Sequence, residues 1–125
     1  MLERATIKKQ SYGIENQILL NPDFQFSLSV VVDEASGTEV AGRKVVKAGT
    51  PLAGNLDART TPFTKANDTT VKGVLLHDVD VTGGNGNGTL LVFGFVNTNM
   101  IDSTTKALIT SDVKDTLRNI VFVAG

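Results

Sequence analysis

The chain has 125 residues, with 12 basic and 13 acidic side chains, a formal net charge of −1, and no cysteine. That length corresponds to one domain with enough buried surface for a core without covalent staples, and the missing cysteines exclude disulfides, thiolate metal sites and thiol nucleophiles. The balanced charge supplies no basic excess for a polyanion, and no apolar run approaches the roughly 20 residues of a membrane span, so neither nucleic acid nor a membrane is an expected partner. Behind Met1-Leu2-Glu3-Arg4 there is no apolar signal core, which points to a soluble, intracellular chain.

Thr and Val occur fifteen times each and Gly 12 times, against one Tyr and no Trp. β-Branched residues favour a pleated surface and Gly and Asn favour the turns between strands, so the expected class is mostly β. The aromatic content of 6% counts against a surface that stacks sugars or bases.

Residues 1–14 read as an N-terminal arm and 15–125 as a single β-rich domain. The arm carries Glu3, Arg4, Lys8, Lys9 and Gln10 with little periodicity, and Ile7, Tyr12 and Ile14 are its candidate anchors on a partner, through extension of a sheet edge. In residues 24–32, Phe24, Phe26, Leu28 and Val30 alternate with Gln25, Ser27 and Ser29, which predicts a half-buried strand. A turn at 33–37 and a second extended segment over 38–46 follow. Lys47-Ala48-Gly49-Thr50-Pro51 is turn chemistry, and residues 57–70 are polar and read as a loop.

Residues 74–81 and 89–96 read as two strands, and Gly83-Gly84-Asn85-Gly86-Asn87-Gly88 between them predicts the tip of an antiparallel hairpin. Residues 108–120 suit a helix capped by Thr110 or Ser111, with Asp112 in its first turn and Val113, Leu117 and Ile120 on one stripe. Residues 120–123 close the chain as a strand.

Side chains able to do chemistry are sparse. The glycine run lacks the Gly-Lys-Ser/Thr entry into a helix that a phosphate loop needs. His77, Asp78 and Asp80 have metal-ligand chemistry, but on a strand the histidine points away from both carboxylates. The pattern predicts a partly buried His77 and two solvated or turn-capping aspartates. Asn85 and Asn87 do not complete a calcium loop, which needs a closing Glu. With one His, no Cys and no Gly-x-Ser-x-Gly elbow, no catalytic, metal or cofactor residue is assigned, and neither an enzyme activity nor a small-molecule substrate is expected.

The segment Val71-Lys72-Gly73-Val74-Leu75-Leu76-His77-Asp78-Val79-Asp80-Val81-Thr82-Gly83-Gly84, its continuation Gly88-Thr89-Leu90-Leu91-Val92-Phe93-Gly94-Phe95-Val96-Asn97, and the upstream Val45-Val46-Lys47-Ala48-Gly49-Thr50-Pro51-Leu52 resemble the head decoration proteins of tailed phages, the family of the lambda head-stabilising protein. The resemblance covers about residues 44–101. It implies a compact β-rich domain on the outer surface of a virion capsid, made in the host cytoplasm, that binds the major capsid protein after shell expansion. It also implies a homotrimer at local threefold positions that clamps capsid subunits against internal DNA pressure, with the arm ordering against the shell. The portion holding residues 17–32 is longer than the smallest members carry. The fold expected is mostly β (β-rich α+β): a compact small β-barrel or β-tulip-like domain with one short C-terminal helix and an extended N-terminal arm. The alternative function is another phage component such as a tail-tube or head-completion protein. A carrier-domain reading of Lys47 is weak, because the glycine hairpin tip holds no lysine.

Overall fold

A computed structural model describes residues 18–124; Ile7, Tyr12 and Ile14, and with them the whole arm, lie outside the described residues. The chain is mostly β, as its composition implies. One six-stranded sheet has the order β1 (Phe26–Val32), β8 (Gly86–Asn97), β6 (Val71–Leu75), β4 (Pro51–Ala53), β5 (Thr64–Lys65), with β9 (Ile120–Val123) paired to β8, and a three-stranded sheet has the order β2 (Thr38–Val40), β3 (Arg43–Val46), β7 (Val79–Asp80). All pairings are antiparallel except that of β8 with β9.

The central element is β8 (Gly86–Asn97), which supports neighbours along both edges. β1 (Phe26–Val32) pairs with its first half. Beyond it the chain around Leu19 continues on that edge, with Leu20 N–H donating to Phe95 O and Asn97 N–H to Ile18 O. On the other edge, β6 (Val71–Leu75) pairs at Leu90 and Leu91, and β9 (Ile120–Val123) pairs with residues 94–97.

The large sheet curls until its ends approach each other. β4 (Pro51–Ala53) and β5 (Thr64–Lys65) form the far end, and Phe63, just before β5, reaches back to β1. Its N–H donates to Val31 O and its carbonyl accepts from Asp33 N–H. Two bonds at one bridge bring the sheet short of a closed barrel. Phe63 is fully buried inside the curl with Val30, Val32, Leu52, Leu75 and Leu90, and Val46, Val79 and Val81 of the second sheet region pack against them. A second core lies on the opposite face, where Leu91, Val74, Val96, Val113 and Ile120 meet.

Several sequence-based boundaries shift. Residues 38–46 are not one extended segment but a hairpin of β2 (Thr38–Val40) and β3 (Arg43–Val46). Ala41 (φ 52°) and Gly42 (φ 82°) are both left-handed, as a tight two-residue hairpin turn requires. The expected strand 74–81 is divided between β6 and β7 (Val79–Asp80), because the chain leaves the large sheet after Leu75 and joins β3 in the small one.

The glycine-rich tip is also shorter than expected. Gly86 and Gly88 lie inside β8, opposite Val32 and Val30. A Cβ on Gly88 would sit 2.9 Å from Leu75 and 3.0 Å from both Val32 and Val79, so this glycine lets the core close over the strand. The expected 108–120 helix contracts to α2 (Ser111–Thr116), capped as foreseen by Thr110, whose Oγ1 accepts from Val113 N–H. A further helix, α1 (Ser103–Lys106), precedes it, capped by Asp102, so the described residues hold two short α-helices where one was expected. The polar segment 57–70 hides Phe63 and β5.

Phe63→Ala removes a fully buried ring at the point where the sheet ends meet, and the expected cost is about 3–5 kcal/mol. Chemical denaturation of the variant checks this.

Candidate functional site

The ladder between β1 and β8 changes register midway. Phe26 faces Phe93, whereas Ser27 faces Leu91, so Val92 has no partner in β1. An extra residue in one strand is a β-bulge, and it changes which side chains share a face. Leu90 belongs to the core inside the curl and Val92 packs partly against it, while Leu91 belongs to the opposite core. After the bulge, Val96 joins the same core as Leu91 although the two are five residues apart. Phe93 and Phe95 are therefore left on the side of Leu90 and Val92.

Beyond Val92, that side is open. Phe93 is 45% and Phe95 38% exposed, and their cross-strand partners Phe26 and Val121 are 57% and 45% exposed. Leu20, Phe24 and Val123 extend the open surface and are likewise exposed. Four of the chain's six phenylalanines are thus exposed, three of them (Phe26, Phe93 and Phe95) on paired strands and Phe24 in the bend just before β1. At about 200 Å² for a phenylalanine, those four alone leave on the order of 400 Å² of apolar surface uncovered. The largest apolar patch on a typical monomer is about 300–600 Å² and is often functional. The alternation of Phe24, Phe26, Leu28 and Val30 indicates a single face, and the register confirms it for Phe26, Leu28 and Val30. Only its Val30 end is core, however, and its phenylalanine end is open.

The expected polar cluster is a scaffold. His77 is exposed rather than partly buried, because residues 76–78 leave the strand on the way to β7. Asp78 Oδ1 accepts from Ala48 N–H at 2.7 Å, and so holds the turn ahead of Thr50. Asp80 accepts from both the hydroxyl and the N–H of Thr82 and from Arg43 Nε. Asn85 Oδ1 accepts from Glu34 N–H at 2.8 Å, which fastens the glycine-rich turn to the segment after β1. Among the described residues no three His, Asp or Glu side chains come together as a metal site would require.

A groove of about 810 Å³ runs between β1, the start of β8 and residues 56–60. Its ionisable groups are Asp57 and Arg59, and Arg59 Nη1 is bound to Ser29 O. It brings together no acid-base pair of a kind that turns over substrate. Among the described residues, no helix is long and apolar enough to cross a membrane. No family model matches the chain, and neither does any curated protein.

Asp80 is exposed, and its carboxyl is held below the ordinary value of 3.8 by the Thr82 hydroxyl first, then the Thr82 N–H and, more weakly, the Arg43 guanidinium. Its charged form is favoured by folding, so the stabilisation is present above the unfolded-state value and is lost as pH falls through the lower folded one. The expected result is that Asp80→Asn lowers the thermal midpoint at neutral pH and that the difference from wild type shrinks toward strong acid. Thermal melts across an acid pH series check it.

Proposed function

We propose that this chain is a structural virion protein that binds the outer surface of an expanded phage capsid and stabilises it against internal DNA pressure, as a trimer at local threefold sites. The observation that carries the reading is the open phenylalanine face on a rigid β domain in which Asp78, Asp80 and Asn85 hold turns. Such a domain acts through contact area rather than chemistry. Its partner is the major capsid protein together with further copies of itself, and its place is the outside of the virion.

Three features support this reading. The Ala48-Gly49-Thr50 turn and the β6–β8 pair form the segments that carry the resemblance to head decoration proteins, and they stand side by side: Gly49 N–H donates to Leu75 O, and Leu75 N–H to Thr50 O. The arm that the resemblance implies would order against the shell carries the apolar side chains Ile7, Tyr12 and Ile14. Repetition on an icosahedral shell multiplies weak contacts, so a small domain needs no high individual affinity.

Co-sedimentation with capsids that lack the protein tests the proposal. Saturable binding to expanded shells and none to unexpanded procapsids is expected. Binding to neither discards the decoration role and moves a tail-tube or head-completion component to the front, which a stable ring-shaped oligomer in solution would support. Ile7→Asp is expected to weaken shell binding while leaving the thermal transition of the isolated protein unchanged; equal loss of both removes the arm from the account.

A further inference from the structure

We propose that the open half of the β1/β8 face, centred on Phe26, Phe93, Phe95 and Val121, is the surface through which copies of this chain meet one another. The inference rests on the reading of the chain as an assembling structural module and adds the face and the residues that do the assembling.

Size is the first support. The four phenylalanines contribute on the order of 400 Å², and Leu20, Val121 and Val123 add to it. A stable interface buries about 800 Å² per partner. The open face is thus the apolar centre of one standard interface, with room for a polar rim and no need of a second patch.

Chemistry is the second. No side chain in that centre is ionisable, and the net charge of −1 gives two copies little long-range repulsion. A charged partner surface laid against these rings would lose water without gaining a counter-charge. An apolar surface of matching size is what the face can accept. Among the described residues the remaining exposed large apolar side chains, Val40, Leu56 and Met100, are far apart in sequence and lie on separate elements. Among the described residues the matching surface is the same face on other copies, which a threefold axis can bring to one apolar centre.

Rigidity is the third. Phe26, Phe93, Phe95 and Val121 all stand on paired strands, so their backbones are fixed before association and the ordering cost falls on side chains alone. Adjacent rings on a pleated surface present a ridged aromatic face, and aromatic residues dominate the energetic centres of interfaces.

Sedimentation velocity over a concentration series, run on the full chain, tests this. Wild type is expected to shift from monomer to a defined oligomer. Phe95→Ser and Phe26→Ser are each expected to weaken that association about tenfold or more, the scale for losing a central aromatic anchor. Phe26 is the more open ring, so Phe26→Ser is expected to keep a thermal transition close to the wild type's, and a melt of each variant separates lost assembly from lost folding. Val40→Ser, at an exposed apolar position on β2, is expected to leave assembly unchanged. A wild type that stays monomeric at every concentration overturns the inference, as does association that Phe95→Ser and Phe26→Ser leave intact or that Val40→Ser weakens equally. Either result leaves capsid co-sedimentation by the wild type to stand or fall by itself, so failure of this surface is distinguishable from failure of the decoration role.

Discussion

The one-residue slip between β1 and β8 governs how this molecule divides its apolar side chains between inside and outside. Before the slip, Leu90 and Leu91 point to opposite faces and each enters a core. After it, Val96 and the neighbouring Ile120 and Phe122 rejoin the core of Leu91, and Phe93 and Phe95 pass to the other side. Without the extra residue, regular alternation would carry Phe93 and Phe95 to the face of Leu91 and would turn Val96 away from its partners Ile18 and Leu19. The bulge therefore keeps Val96 in the core of Leu91 and sends Phe93 and Phe95 to the side of Leu90.

The exposed face is continuous with a real core, which gives it rigidity. Val30 and Leu90 anchor its inner end, fully or nearly fully buried, and the curl closed at Phe63 covers them. The same strands then run past the covered region through the bulge at Val92. The polar groups near the rest of the curl serve the turns: Asp78 holds the 47–50 turn, Asp80 and Thr82 tie β7 to β3, and Asn85 locks the tip before β8. Each of these groups fixes the geometry of a turn or a strand junction.

Much of this was legible in the residues. Period-two alternation identifies β1 and the side that Phe26 and Val30 share, and Thr110 marks the start of α2. Other features were hidden for identifiable reasons. Residues 38–46 read as one segment because no Asn-Gly or Asp-Gly marks their turn; Ala41 takes a left-handed conformation that alanine rarely advertises. Residues 74–81 read as one strand because an apolar run looks alike whether it stays in one sheet or crosses to another. Phe63 was lost in a polar stretch, since a single buried ring has no period. The bulge at Val92 leaves no compositional trace, so alternation alone assigns Phe24 and Phe26 to the core. That conflict between an apolar pattern and an open face is itself the clearest mark of the site.

The central claim is that Phe26, Phe93 and Phe95 are open in the single chain and covered in its working assembly. Hydroxyl-radical footprinting read by mass spectrometry, on the dilute free protein and on the protein bound to expanded shells, addresses it directly. Strong protection of these three rings in the assembled particle, with exposed Val40 labelled alike in both, is the predicted result. Equal labelling of the three rings in both states would contradict it.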